Sequence, residues 1–316
     1  MRKSLLLIGA LSVSLFLASC GKSTPQTPEK NTSVTEATTQ AAEEMTTEAA
    51  EEMTTEETTS SVPANHAERR EISVDFDKLS DISNSSEEYG FSNKWRDKFN
   101  RPEDLEYYDA KYGDYSAINH IDTEEKIIYL TMDEGYENGC TPAILDTLKE
   151  KGVKVTFFVT KQFYDEYPEL IQRMIDEGHV IGNHTCAHPA SGMPSLGAKK
   201  EYEDIKKLND LVYDTFGYQM SLFRFPQGNA SKQACALLQQ MGYTSVFWSF
   251  AYGDYDPENE MDPTTALDMC LEYTHPGAIY LLHAISKTNT SILADFIDGA
   301  RSQGYEFGVL EEALNQ

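Results

Sequence analysis

The chain reads as an α/β protein, a distorted (β/α)7 barrel of the TIM type carried on a disordered acidic tether. Three observations predict this. After Glu125, short runs rich in β-branched and aromatic residues recur, most of them separated by stretches of helical periodicity. Alternating βα units of this kind form a parallel sheet, and about seven of them are enough to close a barrel. Titratable residues then collect just past the ends of those runs, where a barrel brings them to one rim.

The elements follow in order. Arg2 and Lys3 precede the apolar run "SLLLIGALSVSLFL", which is too short to span a membrane as a mature helix and leads through "LASC" to Cys20. That ending resembles a bacterial lipobox, which implies a signal peptide over 1–19 and a diacylglycerol on the Cys20 sulfur. The mature protein is then expected outside the cytoplasm, lipid-anchored to the bacterial cell membrane. Residues 20–70 turn to Thr, Glu, Ala, Ser and Pro and include "AAEEMTTEAAEEMTTE". No apolar stripe recurs there, so nothing could be buried to offset chain entropy. A flexible linker of this length reaches on the order of 40 Å. Residues 71–124, with "EEYGFSNKWRDKF" and "LEYYDAKYGDY", are aromatic and mixed. They are expected to form an ordered extension packing on the barrel, without a catalytic pattern.

The barrel proper is expected over 125–316. Its strands are read at 126–132, 153–160, 179–183, 221–225, 243–250, 278–283 and 305–310. The helix "TPAILDTLKEKG" offers Thr141 as N-cap, Pro142 in the first turn and Gly152 as the stop. In "KEYEDIKKLNDLVYDTFG", Ile205, Leu208, Val212 and Phe216 share one face, which marks it as buried.

Composition excludes some functions. Acids outnumber bases 52 to 26, giving a net charge of -26 over 316 residues. Nucleic acid is therefore no partner, because phosphate contacts need a basic surface. Beyond Cys20 the cysteines are Cys140, Cys186, Cys235 and Cys270, with no C-x-x-C pair to suggest a thiolate zinc site. Disulfides are possible in an exported protein, but spacing does not decide them.

The predicted strand ends carry the chemistry. The first ends in Asp133 and Glu134, the third in "NHTCAH", the fourth in "RFPQG"; the fifth leads to "AYGDYD" and the sixth ends in His283. Two adjacent acids repel, and a cation or a proton relieves them. "HTCAH" places His184 and His188 four residues apart, on one face of a helical turn. Two imidazoles and a carboxylate can bind a metal and leave a position for water. Thr185 stands where zinc proteases of the H-E-x-x-H type carry their base, so the base must come from elsewhere, and Asp133 is the candidate. His179, His275, Cys186 and Trp248 are read as structural, Trp248 in the barrel core.

The ordered series T-M-D-E-G, H-T-x-x-H, R-F-P-Q-G, an Asp after "VFWSF", and L-L-H resembles the motifs of the polysaccharide deacetylase domain (NodB type, carbohydrate esterase family 4). Within that family, "YLTMDEGYENGCTPAILDTL", "DEGHVIGNHTCAHP", "FWSFAYGDYD" and "HPGAIYLLHAIS" are most similar to the delta-lactam-biosynthetic de-N-acetylases of peptidoglycan. The resemblance runs from about residue 107 to 316 and implies a role for each matching position. Asp133 would be the general base and Arg224 would orient it. Glu134, His184 and His188 would bind a divalent metal, zinc first with cobalt or manganese possible. The Gln227 N–H would hold the oxyanion, Leu281 would line the acetate pocket and His283 would be the general acid. An aspartate, with an ordinary pKa of about 3.9, is a weak base for free water, so the metal has to supply acidity.

Two positions depart from the family pattern. Glu134 stands where Asp is usual, adding a methylene and about 1.5 Å of reach. Asp254-Tyr255 stands for Asp-Trp; Asp254 either tunes His283 or is a solvated loop acid. The resemblance implies a monomeric hydrolase removing acetyl groups from peptidoglycan amino sugars, with N-acetylmuramic acid favoured and a delta-lactam formed by its freed amine. The alternatives are an N-acetylglucosamine or chitin-type oligosaccharide deacetylase, and a degenerate lipoprotein that binds glycan without turnover.

Overall fold

The computed structural model describes residues 68–315. The signal peptide, Cys20 and nearly all of the 20–70 linker lie outside the described residues. At its C-terminal end the linker span is already packed, since the Arg70 guanidinium donates to the carbonyls of Met241 (3.1 Å) and Gly242 (2.7 Å).

Eight strands form one parallel sheet: β1 (Ala117–Ile118), β2 (Ile127–Glu134), β3 (Thr156–Val159), β4 (Val180–Asn183), β5 (Leu222–Phe223), β6 (Thr244–Val246), β7 (Ala278–His283) and β8 (Glu306–Phe307). The order is β7-β2-β3-β4-β5-β6-β1, with β8 beside the first residues of β2. The sheet curls until the segment after β6 meets β7: Ser249 and Phe250 N–H groups donate to Ile279 O, and Leu281 N–H to Phe250 O. This is the distorted (β/α)7 barrel expected, and all seven predicted runs contain a strand. β1, contributed by the extension, is the addition. Main helices α1 (Leu105–Tyr112), α2 (Thr141–Lys151), α3 (Pro168–Asp176), α4 (Ala198–Phe216), α5 (Lys232–Gln240), α6 (Pro263–Glu272) and α7 (Lys287–Ser302) accompany the sheet.

Strand alternation divides the core in two. Tyr129, Phe158, Val180, Leu222, Val246 and Ile279 pack together inside the barrel. Ile128, Leu130, Met132, Phe157, Val159 and Ile181 face the helices, where they meet Ile144, Leu148, Ile171, Ile205, Leu208 and Val212. Of the predicted apolar face of α4, Ile205, Leu208 and Val212 are buried as expected and Phe216 is partly buried.

One cap differs from expectation. Thr141 is the first residue of α2 and Cys140 the N-cap, with no capping bond from its side chain. The carboxylate of Glu137 does the capping instead, accepting from the N–H groups of Gly139 (2.9 Å), Cys140 (3.4 Å) and Thr141 (3.1 Å). An acid at a helix N-terminus satisfies orphan donors and complements the dipole, and this frees the Thr141 hydroxyl for another partner. Gly152 ends the helix at φ 64°, as predicted.

Candidate active site

β2 pairs with β7 so that Asp133 lies directly opposite His283. By alternation Asp133 belongs to the interior set with Tyr129, while Glu134 belongs to the outward set with Ile128, Leu130 and Met132. Two adjacent acids are thus sent to opposite sides of the sheet.

Asp133 meets Arg224, which follows β5. The fully buried guanidinium donates to Asp133 Oδ1 at 2.9 Å, to Val246 O at 3.1 Å and to Phe247 O at 3.3 Å, and lies 4.2 Å from the Phe158 ring centroid. Burial alone would raise the Asp133 pKa, but Arg224, His184 and His283 outweigh it and hold the carboxyl below its ordinary value. Asp133 Oδ2 lies 3.5 Å from His184 Nε2. His184 Nδ1 donates to Arg224 O at 2.9 Å, which fixes the ring and leaves Nε2 as the free lone pair. Burial depresses the His184 pKa to about 4, so the imidazole is neutral near pH 7.

The His184 to His188 segment is not the helical turn that the spacing suggested. Thr185 (φ 76°) and His188 (φ 39°) break it with positive φ. The Asp204 carboxylate on α4 accepts from Cys186 N–H (2.8 Å) and Ala187 N–H (2.9 Å), and Thr185 Oγ1 accepts from His188 N–H (2.9 Å). Held in this way, the two imidazoles still meet, with ring centroids 5.0 Å apart.

His283 is anchored from behind. Its Nδ1 donates to Asp254 Oδ1 at 2.7 Å and its N–H to Asp254 Oδ2 at 2.8 Å, while Asn289 Nδ2 donates to Asp254 Oδ2 at 2.6 Å and to His283 O at 3.0 Å. Burial would lower the His283 pKa, but the charge and hydrogen bond of Asp254, with Asp133 behind them, raise it. Asp254 is 1% exposed, so of the two readings left open for it the solvated loop acid is the wrong one.

An open cleft has two arms, of about 450 and 550 Å³, and Asp133, His184, His188, Tyr255 and His283 line both. The first arm adds Tyr136, Gln162, Cys186 and Ile285. The second adds Gln227 and Leu281, and is walled by Tyr89, Phe225, Trp248 and Tyr252. Trp248 is half-buried: it packs against the barrel interior, as expected, and also lines the cleft. Gln227 sits at φ 59° in the turn after Arg224, followed by Gly228 at φ 67°. A Cβ on Gly228 would come within 2.9 Å of the Trp248 ring and 3.0 Å of Tyr89 Cβ, so glycine is required there.

The four described cysteines are free thiols. Cys186 donates to Asp204 O at 3.3 Å, and burial pushes its pKa up to about 12. His179 Nδ1 accepts from Val155 N–H (3.2 Å), and His275 bonds Tyr273 O (2.9 Å) and Ser249 Oγ (2.8 Å), both as structural groups.

Of the expected metal set, the histidine half fits. His184 and His188 are adjacent, and His184 presents a neutral nitrogen held by a backbone partner, which is how metal-binding imidazoles are oriented. Glu134 is placed elsewhere, which corrects the expectation. Its fully buried carboxylate is 3.4 Å from the Thr141 hydroxyl, and burial and Glu137 push its pKa well above the ordinary range. Among the described residues no three His, Cys, Asp or Glu side chains are gathered to hold a cation. The sequence carries no motif that marks Asn289 or the Glu88–Tyr89 wall, and it offers Thr141 only as a cap.

Fold and site together define an α/β barrel whose rim sets a buried carboxylate, Asp133, opposite an imidazole, His283. Known proteins narrow the class. The polysaccharide deacetylase family profile matches residues 120–246. The chain is 41% identical over 201 residues to the peptidoglycan-N-acetylmuramic acid deacetylase PdaA of Bacillus subtilis, covering 63% of this chain and 76% of that protein. It is 34% identical over 191 residues to the peptidoglycan-N-acetylglucosamine deacetylase PgdA of Listeria monocytogenes, covering 60% of this chain and 39% of that protein. The solved structure of Bacillus subtilis PdaA, a family 4 carbohydrate esterase, matches with a TM-score of 0.70 at 36% identity, over 74% of this chain and 99% of that chain. The chain belongs to the polysaccharide deacetylase family, hydrolases that cleave the amide bond of N-acetyl groups.

Proposed function

We propose that this protein de-N-acetylates amino sugars of peptidoglycan, with N-acetylmuramic acid as the favoured substrate. The observation that carries the reading is the likeness to PdaA, which spans three quarters of that protein. Asp133, ionised at neutral pH, takes the proton from the attacking water, and Arg224 fixes its orientation. The Gln227 N–H faces the amide oxygen as charge develops there, and Leu281 lies against the acetyl methyl. His283, whose pKa Asp254 raises, delivers a proton to the departing nitrogen, so acetate and a free amine leave. On muramic acid that amine can close on the lactyl carboxyl as a delta-lactam, with loss of water. The family is one of metalloenzymes; a divalent cation held by His184 and His188, zinc first with cobalt or manganese as alternatives, would supply Lewis acidity to the water and the amide oxygen.

A second reading, N-acetylglucosamine as substrate, is favoured by one feature. Among the described residues lining the two arms there is no lysine or arginine to meet the carboxylate of muramic acid. The two separate by mass spectrometry of peptidoglycan strands incubated with the full chain and each metal. Loss of acetyl, or of acetyl plus water, on muramic acid supports the first reading, and loss confined to glucosamine selects the second. Glycan binding without loss under any metal leaves a non-catalytic binding module. The lipobox reading adds an acylated Cys20 that holds the domain at the outer face of the membrane. Among the described residues no helix is long and apolar enough to cross one. Cys20→Ala is expected to release the protein from membranes, and acyl-lipid labelling of the variant would overturn the anchor.

A further inference from the structure

The extension contributes to the cleft as well as to the sheet. Glu87–Glu88 pairs antiparallel with Asn229–Ala230, the strand leaving the Gln227–Gly228 turn, in the register Glu87 to Ala230 and Glu88 to Asn229. Tyr89 continues the ribbon. Its N–H donates to Gly228 O at 3.0 Å, its hydroxyl donates to Trp248 O, and its ring stacks on Phe247 at 4.6 Å and meets Trp248 edge-on at 5.0 Å. The Glu87–Tyr89 half of this ribbon lies outside the 120–246 span that the family profile matches.

The two acids of the ribbon are used differently. Glu87 is engaged structurally, accepting from the Tyr107 hydroxyl at 3.3 Å and pairing with Lys111. Glu88 projects to the other side, as strand alternation requires. It is exposed and lines the second arm of the cleft with Tyr89, Phe225, Trp248 and Tyr252. No side chain or backbone N–H among the described residues holds its carboxylate. An unengaged carboxylate beside aromatic faces suits a sugar ring: the faces receive its C–H surface and the carboxylate accepts from its hydroxyls in charge-assisted bonds.

We propose that Glu88 is a specificity-determining residue of the deacetylase, accepting hydrogen bonds from the hydroxyls of an uncharged sugar of the glycan chain seated in the second arm. The proposal rests on the polysaccharide deacetylase reading of the cleft. It also assigns the ribbon a purpose: the same strand that pins the Gln227 turn presents the residue that reads the chain beside the reacting sugar. Its charge, with no lysine or arginine lining that arm, turns anionic substituents away.

The test uses the full chain, Glu88→Ala, Glu88→Gln and Glu87→Ala. It measures kcat, KM and, by calorimetry, dissociation constants for N-acetylglucosamine oligomers of graded length and for peptide-free peptidoglycan strands. For glycans long enough to fill the arm, Glu88→Ala is expected to raise both KM and Kd about tenfold with kcat within about twofold, and Glu88→Gln to fall between it and wild type. The shortest substrate should not distinguish Glu88→Ala from wild type. Glu87→Ala should lower the melting temperature and leave KM in place. Equal Kd values for wild type and Glu88→Ala on every glycan overturn the proposal, as does a fall in kcat that matches the rise in KM. A wild type that binds glycan and hydrolyses none defeats the deacetylase reading alone, because the difference in Kd still decides the role of Glu88. A wild type that binds none of them overturns both.

Discussion

Replacing Asp254 with Asn probes the acid side of the reaction most directly. The substitution is isosteric and leaves a carbonyl oxygen for one of the two bonds to His283, but it removes the negative charge 2.7 Å from Nδ1. Burial lowers the His283 pKa and Asp254 is the largest opposing cause, so the variant should titrate lower. A hydrogen bond to a charged acceptor contributes about 1.5–3 kcal/mol. At about 1.36 kcal/mol per pKa unit, the basic limb of the kcat/KM profile should move down by roughly 1–2 pH units. The sign also reaches stability. A His raised in the folded state stabilises it fully below its unfolded value of 6.5, and that stability is lost as pH rises through the folded value. The variant should therefore be less stable than wild type at pH 5.5 and lose less on going to pH 9. The assay is kcat/KM on acetylated glycan strands from pH 5 to 10, with urea unfolding at the two ends. A basic limb that stays in place would refute the assignment of that limb to His283.

Four further outcomes follow from the same geometry. Asp133→Asn should lower kcat by about 10²–10⁴-fold while metal content, read by elemental analysis, stays at the wild-type level. Asp133→Ala, which strands the buried Arg224 charge, should cost about 3–5 kcal/mol in urea unfolding; a loss under 1 kcal/mol would mean the pair is not desolvated. His184→Ala should lose both metal and turnover, whereas Glu134→Gln, which keeps the Thr141 contact, should retain metal at wild-type stoichiometry. Loss of metal in Glu134→Gln would show that the carboxylate swings into the histidine pair.

What the sequence revealed and what it hid have separate causes. β2, β3 and β7 were legible because strands buried on both faces read as unbroken apolar runs. The residues following them were legible because a barrel gathers carboxyl-terminal ends regardless of loop detail. β1, two residues long, is below the length at which any period can be counted. The His184 to His188 spacing fits a helical turn equally well, and what decides against it is Asp204, far along the chain on α4, bonding the Cys186 and Ala187 N–H groups. Thr141 looked like a cap by type, yet Glu137 reaches three backbone donors from outside the helix.

Asp133 and Glu134 differ for a similar physical reason. Their adjacency invites a shared role at one cation, but consecutive strand residues point to opposite sides, and the register opposite His283 assigns the interior to Asp133. Glu134 is then committed to the helix layer, where it meets the Thr141 hydroxyl that Glu137 releases by capping α2. The longer side chain is consistent with that place, because a carboxyl that must reach across to the start of a helix gains from an extra methylene. The two carboxyls therefore do not share one face of the sheet. Asp133 has Arg224, while burial and Glu137 push the Glu134 carboxyl well above the ordinary carboxyl range.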